Sequence, residues 1–158
     1  MIRGIEATGL IAKEPESLNK DGVADMTMER VTGIGGIFIK AQDPTALRDW
    51  YKRHLGMDIQ DWGGVAFEWQ GAGQPEQGGV TIWSVFPADS AYFAPSQAPF
   101  MVNYRVRDLH ALLALLKAEG CNVDEKTETS EFGKFGWVMD PEGNRLELWE
   151  PPSGDLPG

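Results

Sequence analysis

The sequence predicts an α+β fold built from two tandem βαβββ modules. The first observation is an internal repeat, in which a β-rich stretch ends at an aspartate and is followed by a helical stretch that ends at a glycine. This pattern runs through Asp43 and Gly56 and again through Asp108 and Gly120, with the two aspartates 65 residues apart. The second observation is that three β-like segments follow each helical stretch. A duplication of this kind predicts two copies of one supersecondary unit that pack together.

The two predicted helices carry matching start and stop signals. Asp43 and Asp108 can each accept a hydrogen bond from the free N–H groups of a first helical turn, and Pro44 suits the first helical position. Gly56 and Gly120 suit the left-handed conformation that ends many helices. Apolar residues at helical spacing predict a core-facing stripe on each helix. The stripes are Leu47, Trp50, Tyr51 and Leu55 on the first helix and Leu109, Leu112, Leu113 and Leu116 on the second.

The β-like segments are short and are bounded by turn residues. Each module starts with one of them, and glycine-rich or proline-containing turns separate the others. In the first module they cover residues 36–42, 57–61, 65–70 and 80–86, and in the second they cover residues 101–107, 122–127, 135–139 and 145–149.

The domain boundaries follow from this repeat. The first module is expected over residues 31–87 and the second over residues 100–151, with a connecting loop at residues 88–99 that could cover a pocket or wrap a partner. Residues 1–30 mix charges with little apolar periodicity and predict a poorly ordered extension. Residues 152–158 are rich in proline and glycine and predict a frayed tail.

Composition excludes several classes of function. The chain has 14 Lys and Arg against 24 Asp and Glu, for a net charge of −10, so it lacks the basic clusters that bind nucleic acid or an anionic membrane surface. No apolar run approaches the roughly 20 residues that a transmembrane helix needs. A single cysteine cannot form an intramolecular disulfide and suits a reducing compartment, so we expect a cytoplasmic protein.

Three motifs carry a resemblance to a known family. They are KAQDP at residues 40–44, WYKRHLG at residues 50–56 and DPEGNRLELWE at residues 140–150. With these motifs the chain resembles the vicinal oxygen chelate superfamily, which includes glyoxalase I, bleomycin-resistance proteins and extradiol dioxygenases. The resemblance implies that the strands of each module form half of an incomplete barrel, with a site on the concave side. It also implies pairing into a homodimer.

The resemblance implies a metal site that this sequence does not retain. Metal-binding members usually place His or Gln, Glu, His and Glu on the first, fourth, fifth and eighth strands. The matching positions here are Gly36, Ile82 or Trp83, Met101 and Glu147. Because glycine has no donor atom and one carboxylate holds a divalent cation poorly, only Glu147 matches and no cofactor is expected. A divalent metal held by an unusual ligand set is the alternative.

Alternation along the strands predicts which side chains face the concave side. An aromatic pocket with a few polar groups is typical of a small-molecule site, and the chain has six tryptophans. The alternative is that these aromatic residues only fill the half-barrel, with Glu147 paired to Lys40 or Arg105 as a buried ion pair. The candidate ligand-binding residues are Phe38, Lys40, Trp83, Met101, Asn103, Arg105, Trp137 and Trp149.

The sequence leaves more than one function open, and with it the question of whether the chain is an enzyme. The first is a metal-free protein, similar to bleomycin-resistance members, that binds a small aromatic or cationic molecule in the tryptophan-rich pocket. The second is a glyoxalase or isomerase-type lyase with an unusual metal site, in which Glu147 acts as a general base. A β-sheet interaction module is a third. The expected partners are a small molecule and a second copy of the chain, and neither nucleic acid nor a membrane.

Overall fold

Two helices pack against one face of a single mixed β-sheet that is not closed into a barrel. The computed structural model describes residues 30–69 and 78–153, so the expected extension up to residue 29 and the tail from residue 154 lie outside the described residues. The α+β class and the incomplete barrel are confirmed. The elements are β1 (Gly33–Ala41), α1 (Pro44–Leu55), β2 (Gly64–Glu68), β3 (Val80–Pro87), β4 (Phe100–Arg105), α2 (Leu109–Ala118), β5 (Asn122–Ser130), β6 (Gly133–Met139) and β7 (Arg145–Glu150).

The first strands of the two repeats lie side by side at the centre of the sheet. The strand order is β2-β3-β1-β4-β7-β6-β5, with β1 and β4 antiparallel. β3 runs parallel to β1, and β7 runs parallel to β4, so the two halves of the sheet repeat one arrangement. This topology brings the last strand of the second module next to the centre, where Asn103 pairs with Glu147.

Both helices begin and end as the sequence predicts. The Asp43 carboxylate accepts a hydrogen bond from Ala46 N at 2.9 Å, and the Asp108 carboxylate accepts one from Ala111 N at 3.0 Å. Gly56 and the glycine at position 120 have φ of 64° and 81°. The side-chain caps satisfy N–H groups that a helix start otherwise leaves unpaired. Within the described residues, neither helix is long and apolar enough to cross a membrane.

The predicted burial of the apolar stripe is confirmed for α2 and holds for only two of the four residues on α1. Three of the four α2 leucines are buried in one cluster, and the fourth packs against it. On α1, Leu47 and Tyr51 pack against the core, whereas Trp50 is 50% exposed and Leu55 is 59% exposed. The expectation for Trp50 and Leu55 is wrong because α1 packs through its Leu47 and Tyr51 side, which leaves its outer side uncovered.

The β-strand expected at residues 57–61 does not form, so the first module is βαββ. Ile59 is buried against the α1 side of the sheet and anchors the segment. The backbone forms a turn instead: Gln60 N donates to Gly64 O at 2.8 Å, and Gly63 N donates to Gln60 O at 2.9 Å. Gly63 has φ of 96°, a conformation that favours glycine. The apolar residues of this segment therefore pack under α1 without a neighbouring strand to pair with.

Candidate functional site

Most of the predicted site residues lie on the face of the sheet opposite α1 and α2, which we call the helix-free face. Directly paired residues of neighbouring strands point to the same face. The pairings join Phe38 to Met101, Asn103 to Glu147, Arg105 to Trp149 and Trp137 to Glu147. Lys40, two residues after Phe38, shares this face. The alternation therefore groups these side chains as expected, while their contact with a ligand stays a prediction.

Trp83 lies on the other face, and its assignment to the concave pocket is wrong. Its register partner in β1 is Ile37, so it points toward the helices. Its ring packs against that of Tyr51 with centroids 4.7 Å apart, in the cluster under α1. On the helix-free face β3 presents Ile82 and Ser84 instead, because side-chain direction reverses at each residue of a strand.

The loop between β3 and β4 covers the centre of the helix-free face. Its single 3-10 turn, Ala91–Phe93, places two aromatic side chains on the sheet. Phe93 is completely buried against Phe38 and Met101. Tyr92 stacks on Phe86 with ring centroids 5.5 Å apart and an interplanar angle of 9°. The hollow expected to hold a ligand is thus filled by the chain's own loop.

Two cations of the sheet hold this loop in place. Arg145 donates to Tyr92 O at 3.1 Å and to Ala94 O at 2.5 Å, and its guanidinium lies 4.8 Å from the centre of the Trp137 ring. The Lys40 ammonium lies 5.1 Å from the centre of the Phe93 ring. Hydrogen bonds from a charged donor to backbone carbonyls are stronger than neutral ones, so the loop is tied to β7 as well as packed on it.

Glu147 lies beneath the loop at the centre of a hydrogen-bonded cluster. The carboxylate accepts hydrogen bonds from the Tyr92 hydroxyl, from Asn103 Nδ2 at 2.7 Å and from Trp137 Nε1 at 2.8 Å. The residue is 1% exposed. Three neutral donors therefore satisfy a buried acceptor that water cannot reach.

The alternative of a buried ion pair to Glu147 is wrong. In the described part of the chain, the Lys40 ammonium lies over the Phe93 ring, and the Arg105 guanidinium lies over the ring of Trp69. Arg145 is the cation whose charge acts on Glu147, and it does so without a direct ion pair. The carboxylate is therefore held by neutral hydrogen-bond donors.

Burial raises the pKa of Glu147 above its ordinary value, and its three hydrogen bonds oppose that shift. Burial also raises the pKa of the Tyr92 phenol, and the neighbouring Glu147 carboxylate raises it further. Tyr92 therefore remains protonated and serves as a hydrogen-bond donor to Glu147 over the physiological pH range.

The residues at this centre do not fit a divalent metal. Both carboxylate oxygens of Glu147 already accept hydrogen bonds. Gly36 offers no donor atom, and Met101 is packed in the apolar cluster with Phe38. Among residues 30–69 and 78–153, no group of three or more His, Cys, Asp or Glu side chains could hold a metal ion.

The buried carboxylate predicts a specific pH dependence of stability. The ordinary pKa is 4.5, and the folded protein holds the proton more tightly. As pH rises above 4.5, the unfolded chain loses the proton first, so the free energy of unfolding falls by about 1.4 kcal/mol per pH unit until pH passes the folded pKa. Glu147→Gln should remove this slope, because Gln does not titrate. Urea unfolding of both proteins from pH 4.5 to 8 checks it, and parallel curves would contradict it.

An open cleft lies at the end of the sheet where β1 begins and β4 and β7 end. Its volume is about 920 Å³, within the usual range for small-molecule pockets. Arg105 reaches it from the helix-free face, and Trp69 stands beside Arg105 with its ring centre 5.5 Å from the guanidinium carbon. Across the cleft, Lys134 and Glu150 form an ion pair of 2.8 Å. Of the eight predicted ligand-binding residues, only Arg105 lines this space.

Two glycines leave space for the side chains of Trp69 and Arg105. A Cβ added at Gly33 would overlap the Trp69 ring, and one added at Gly79 would overlap both the Trp69 ring and the Arg105 guanidinium. The indole N–H of Trp69 donates to Thr81 Oγ1 at 2.8 Å, which sets the orientation of the ring. The cleft wall is thus built by side chains that are held in one position.

Sequence reasoning missed four residues of the candidate site. Tyr92, which hydrogen-bonds Glu147, lies in a loop with no periodicity from which its direction could be inferred. Lys134 and Glu150 lie on strands, but nothing in their local pattern relates them to the end of β4. Trp69 carried one usable signal, because it is a large aromatic residue at the end of a predicted strand and directly before a glycine-rich turn.

Comparisons with known proteins agree with this architecture. Methylmalonyl-CoA epimerase from Mycobacterium tuberculosis is similar in structure, with a TM-score of 0.55 and 20% sequence identity over 78% of this chain and 90% of that chain. Methylmalonyl-CoA epimerase from Streptomyces coelicolor is similar with a TM-score of 0.58 and 17% identity over 78% of this chain and 99% of that chain. At these identities the likeness shows a shared fold.

A family model covers both halves of the sheet. No curated protein matches the sequence. The model described as a glyoxalase-like domain matches residues 36–149, which run from β1 through β7. The chain therefore belongs to the glyoxalase-like domain family, within the vicinal oxygen chelate superfamily that its motifs resemble.

Proposed function

We propose that this protein binds a small, partly aromatic molecule without a metal ion, in the open cleft at the end of the helix-free face. The observation that carries the proposal is the cleft of about 920 Å³ with Trp69 in its wall. It is large enough for a drug-sized ligand, and an aromatic wall provides apolar contact area.

The closed centre of the sheet supports the same assignment. Phe93, Met101 and Trp137 are each no more than 1% exposed, so a ligand has no space there while the loop is in place. The loop is tied to the sheet through Arg145 and through the Tyr92 hydroxyl. Binding at the end of the sheet needs neither the loop to leave nor a metal to be acquired. A homodimer and a cytoplasmic location remain predictions.

Metal independence gives the first test. The protein is dialysed against EDTA and then screened by thermal shift with a library of aromatic carboxylates, amines and neutral amides. We expect at least one class to raise the melting temperature, by the same amount before and after EDTA treatment, because ligands that bind only the folded state stabilise it. A shift that disappears with EDTA and returns with Zn²⁺ or Mn²⁺ would contradict a metal-free site, and no shift with any compound would contradict small-molecule binding.

A second candidate function is favoured by Glu147. A buried carboxylate with a raised pKa beside a phenol is an arrangement found at general acid–base sites. In this candidate the protein is an isomerase-type enzyme that abstracts a proton from an acidic C–H, as methylmalonyl-CoA epimerases of the same fold suggest. The loop that carries Tyr92 would have to open for substrate to reach Glu147.

Turnover assays separate the two functions. Methylmalonyl-CoA epimerisation and isomerisation of the methylglyoxal–glutathione hemithioacetal are measured with the wild-type protein and with Glu147→Gln. Activity that falls at least a hundredfold in a folded Glu147→Gln protein supports the enzyme. Activity that is equal in both proteins excludes Glu147 as the base. A protein that binds ligand in the thermal-shift screen and turns over neither substrate fits the binding function.

A further inference from the structure

We infer that the open cleft recognises an oxyanion on its ligand, a carboxylate or a phosphate, with Arg105 as the anion-binding group and Trp69 as the flat wall against which the rest of the ligand packs. The inference rests on the proposed function, because it names the chemical class of the ligand for the same cleft. It differs from the cationic ligand that the net charge of the whole chain suggests.

The charges that line the cleft oppose the charge of the protein. The chain carries a net charge of −10. Among the described residues, the charged side chains that line the cleft are Arg105, Arg107, Lys134 and Glu150. Lys134 and Glu150 neutralise each other in an ion pair of 2.8 Å, and Arg105 adds a positive charge to the wall of the cleft. A positive side chain attracts anions to the cleft, while the net negative charge of the protein repels them from the rest of the surface.

In the described part of the chain, the partners of Arg105 are a backbone carbonyl and an aromatic ring, and none is a carboxylate. Its guanidinium donates to Gly78 O at 3.2 Å and lies over the Trp69 ring, and among the described residues no Asp or Glu lies within ion-pair distance of it. A guanidinium has five N–H donors in a planar fork that matches a carboxylate or phosphate in two-point contact. Arg105 is partly buried, so an anion that binds it is only partly screened by water.

Contacts within the protein fix the positions of the Arg105 and Trp69 side chains without a ligand. The Trp69 indole donates to Thr81 Oγ1, and that hydroxyl donates to Ile34 O at 2.6 Å. Gly33 and Gly79 have no Cβ that would displace either side chain. Because both side chains are already ordered, little of their conformational entropy is lost when an anion with a flat apolar body binds.

The test compares ligands that differ only in charge. Binding of 2-naphthoate, of the neutral 2-naphthamide and of inorganic phosphate to the full-length protein is measured by isothermal titration calorimetry, with tryptophan fluorescence as a second signal. We expect 2-naphthoate to bind at least tenfold more tightly than 2-naphthamide, and its affinity to fall as salt is raised. In Arg105→Gln the preference for the carboxylate should disappear, and Arg105→Lys should keep part of it, since Lys supplies charge without the planar fork.

Arg53→Gln is the matched control. Arg53 is exposed at the end of α1 and does not line the cleft, so this variant loses the same charge and should bind 2-naphthoate as the wild type does. Far-ultraviolet circular dichroism and melting temperature establish that the Arg105 variants are folded.

Each outcome decides the inference. Competition of inorganic phosphate with 2-naphthoate supports an oxyanion site that accepts a phosphate, and binding of 2-naphthoate without such competition supports a carboxylate. Equal affinity for 2-naphthoate and 2-naphthamide, or a preference unchanged in Arg105→Gln, overturns the oxyanion inference and leaves small-molecule binding intact. Binding of neutral or cationic library compounds, without binding of either anion, also overturns the oxyanion inference and leaves small-molecule binding intact. Absence of any binding compound overturns both the inference and the proposed function.

Discussion

Phe93→Ala is expected to lower the free energy of unfolding by about 4 kcal/mol, the largest effect of any single side-chain truncation in the loop between β3 and β4. Phe93 is completely buried, and it packs with Phe38, Met101 and Trp137 at the centre of the helix-free face. Its removal leaves a cavity that the surrounding strands cannot close, because they are held in register by the sheet. Urea unfolding monitored by circular dichroism measures the loss.

Phe100→Ala is the control for this prediction. Phe100 is 51% exposed, so truncation should change the free energy of unfolding by less than about 1 kcal/mol. A cavity lined by apolar side chains can bind an aromatic molecule of matching size, so benzene should restore part of the stability of Phe93→Ala and not that of Phe100→Ala. Equal losses in the two variants would show that the loop does not form part of the core.

Gly35→Ala is expected to cost about 3 kcal/mol of stability by overpacking. A Cβ at this position would overlap Asn103 Oδ1 and lie 2.8 Å from Trp149 Cε3. Both neighbours are buried, at 2% and 4% exposure, and Asn103 is also held by its hydrogen bond to Glu147. Asn103 Oδ1 is buried without a hydrogen-bond partner within the described residues, and it lies next to the position that a Gly35 Cβ would take.

Gly78→Ala tests whether the loss comes from the clash rather than from the change of glycine to alanine. A Cβ at Gly78 would meet no atom of the described residues within 4 Å, so stability should change by less than about 0.5 kcal/mol. Thermal and urea unfolding of the two variants are compared. A Gly35→Ala protein as stable as Gly78→Ala would show that β1 and β4 can separate enough to admit a methyl group.

The two stability predictions concern the position at which the family's metal ligands are expected. The resemblance implies a ligand at Gly36 of β1, and a Cβ there would lie 2.9 Å from the Phe38 ring; at the neighbouring Gly35, a Cβ would overlap Asn103. Phe93 and Tyr92 fill the remainder from above. The centre of the face is therefore packed as a core, and the open cleft lies at the end of the sheet.

Local sequence signals were sufficient for the repeated framework. Asp43 and Asp108 cap their helices as predicted, because a side-chain cap depends only on residues within one helical turn. The α2 stripe is buried as predicted, since its leucines face one direction at helical spacing. The placement of Glu147 and Asn103 on one face also follows from alternation, together with the motif that identifies β7.

Tertiary structure decided several features that local sequence patterns do not predict. Trp83 was assigned to the wrong face because the direction of a strand residue depends on its pairing register, and a shift of one residue reverses it. Residues 57–61 have β-like composition, but a strand needs a neighbour with which to share backbone hydrogen bonds, and the turn to Gly64 takes those groups instead. Trp50 resembles a core residue, but the helix α1 covers too little of the sheet to bury it.

The sequence by itself determined the α+β repeat and the family, because each depends on residue types at positions that nearby residues define. The tertiary structure decided that Tyr92 and Phe93 fill the central hollow and that Arg105 and Trp69 meet at the open cleft. These contacts join residues that lie far apart in the chain and have no shared periodicity. Their physical basis is complementary shape and hydrogen bonding across the sheet, which only the folded arrangement of strands and loop brings together.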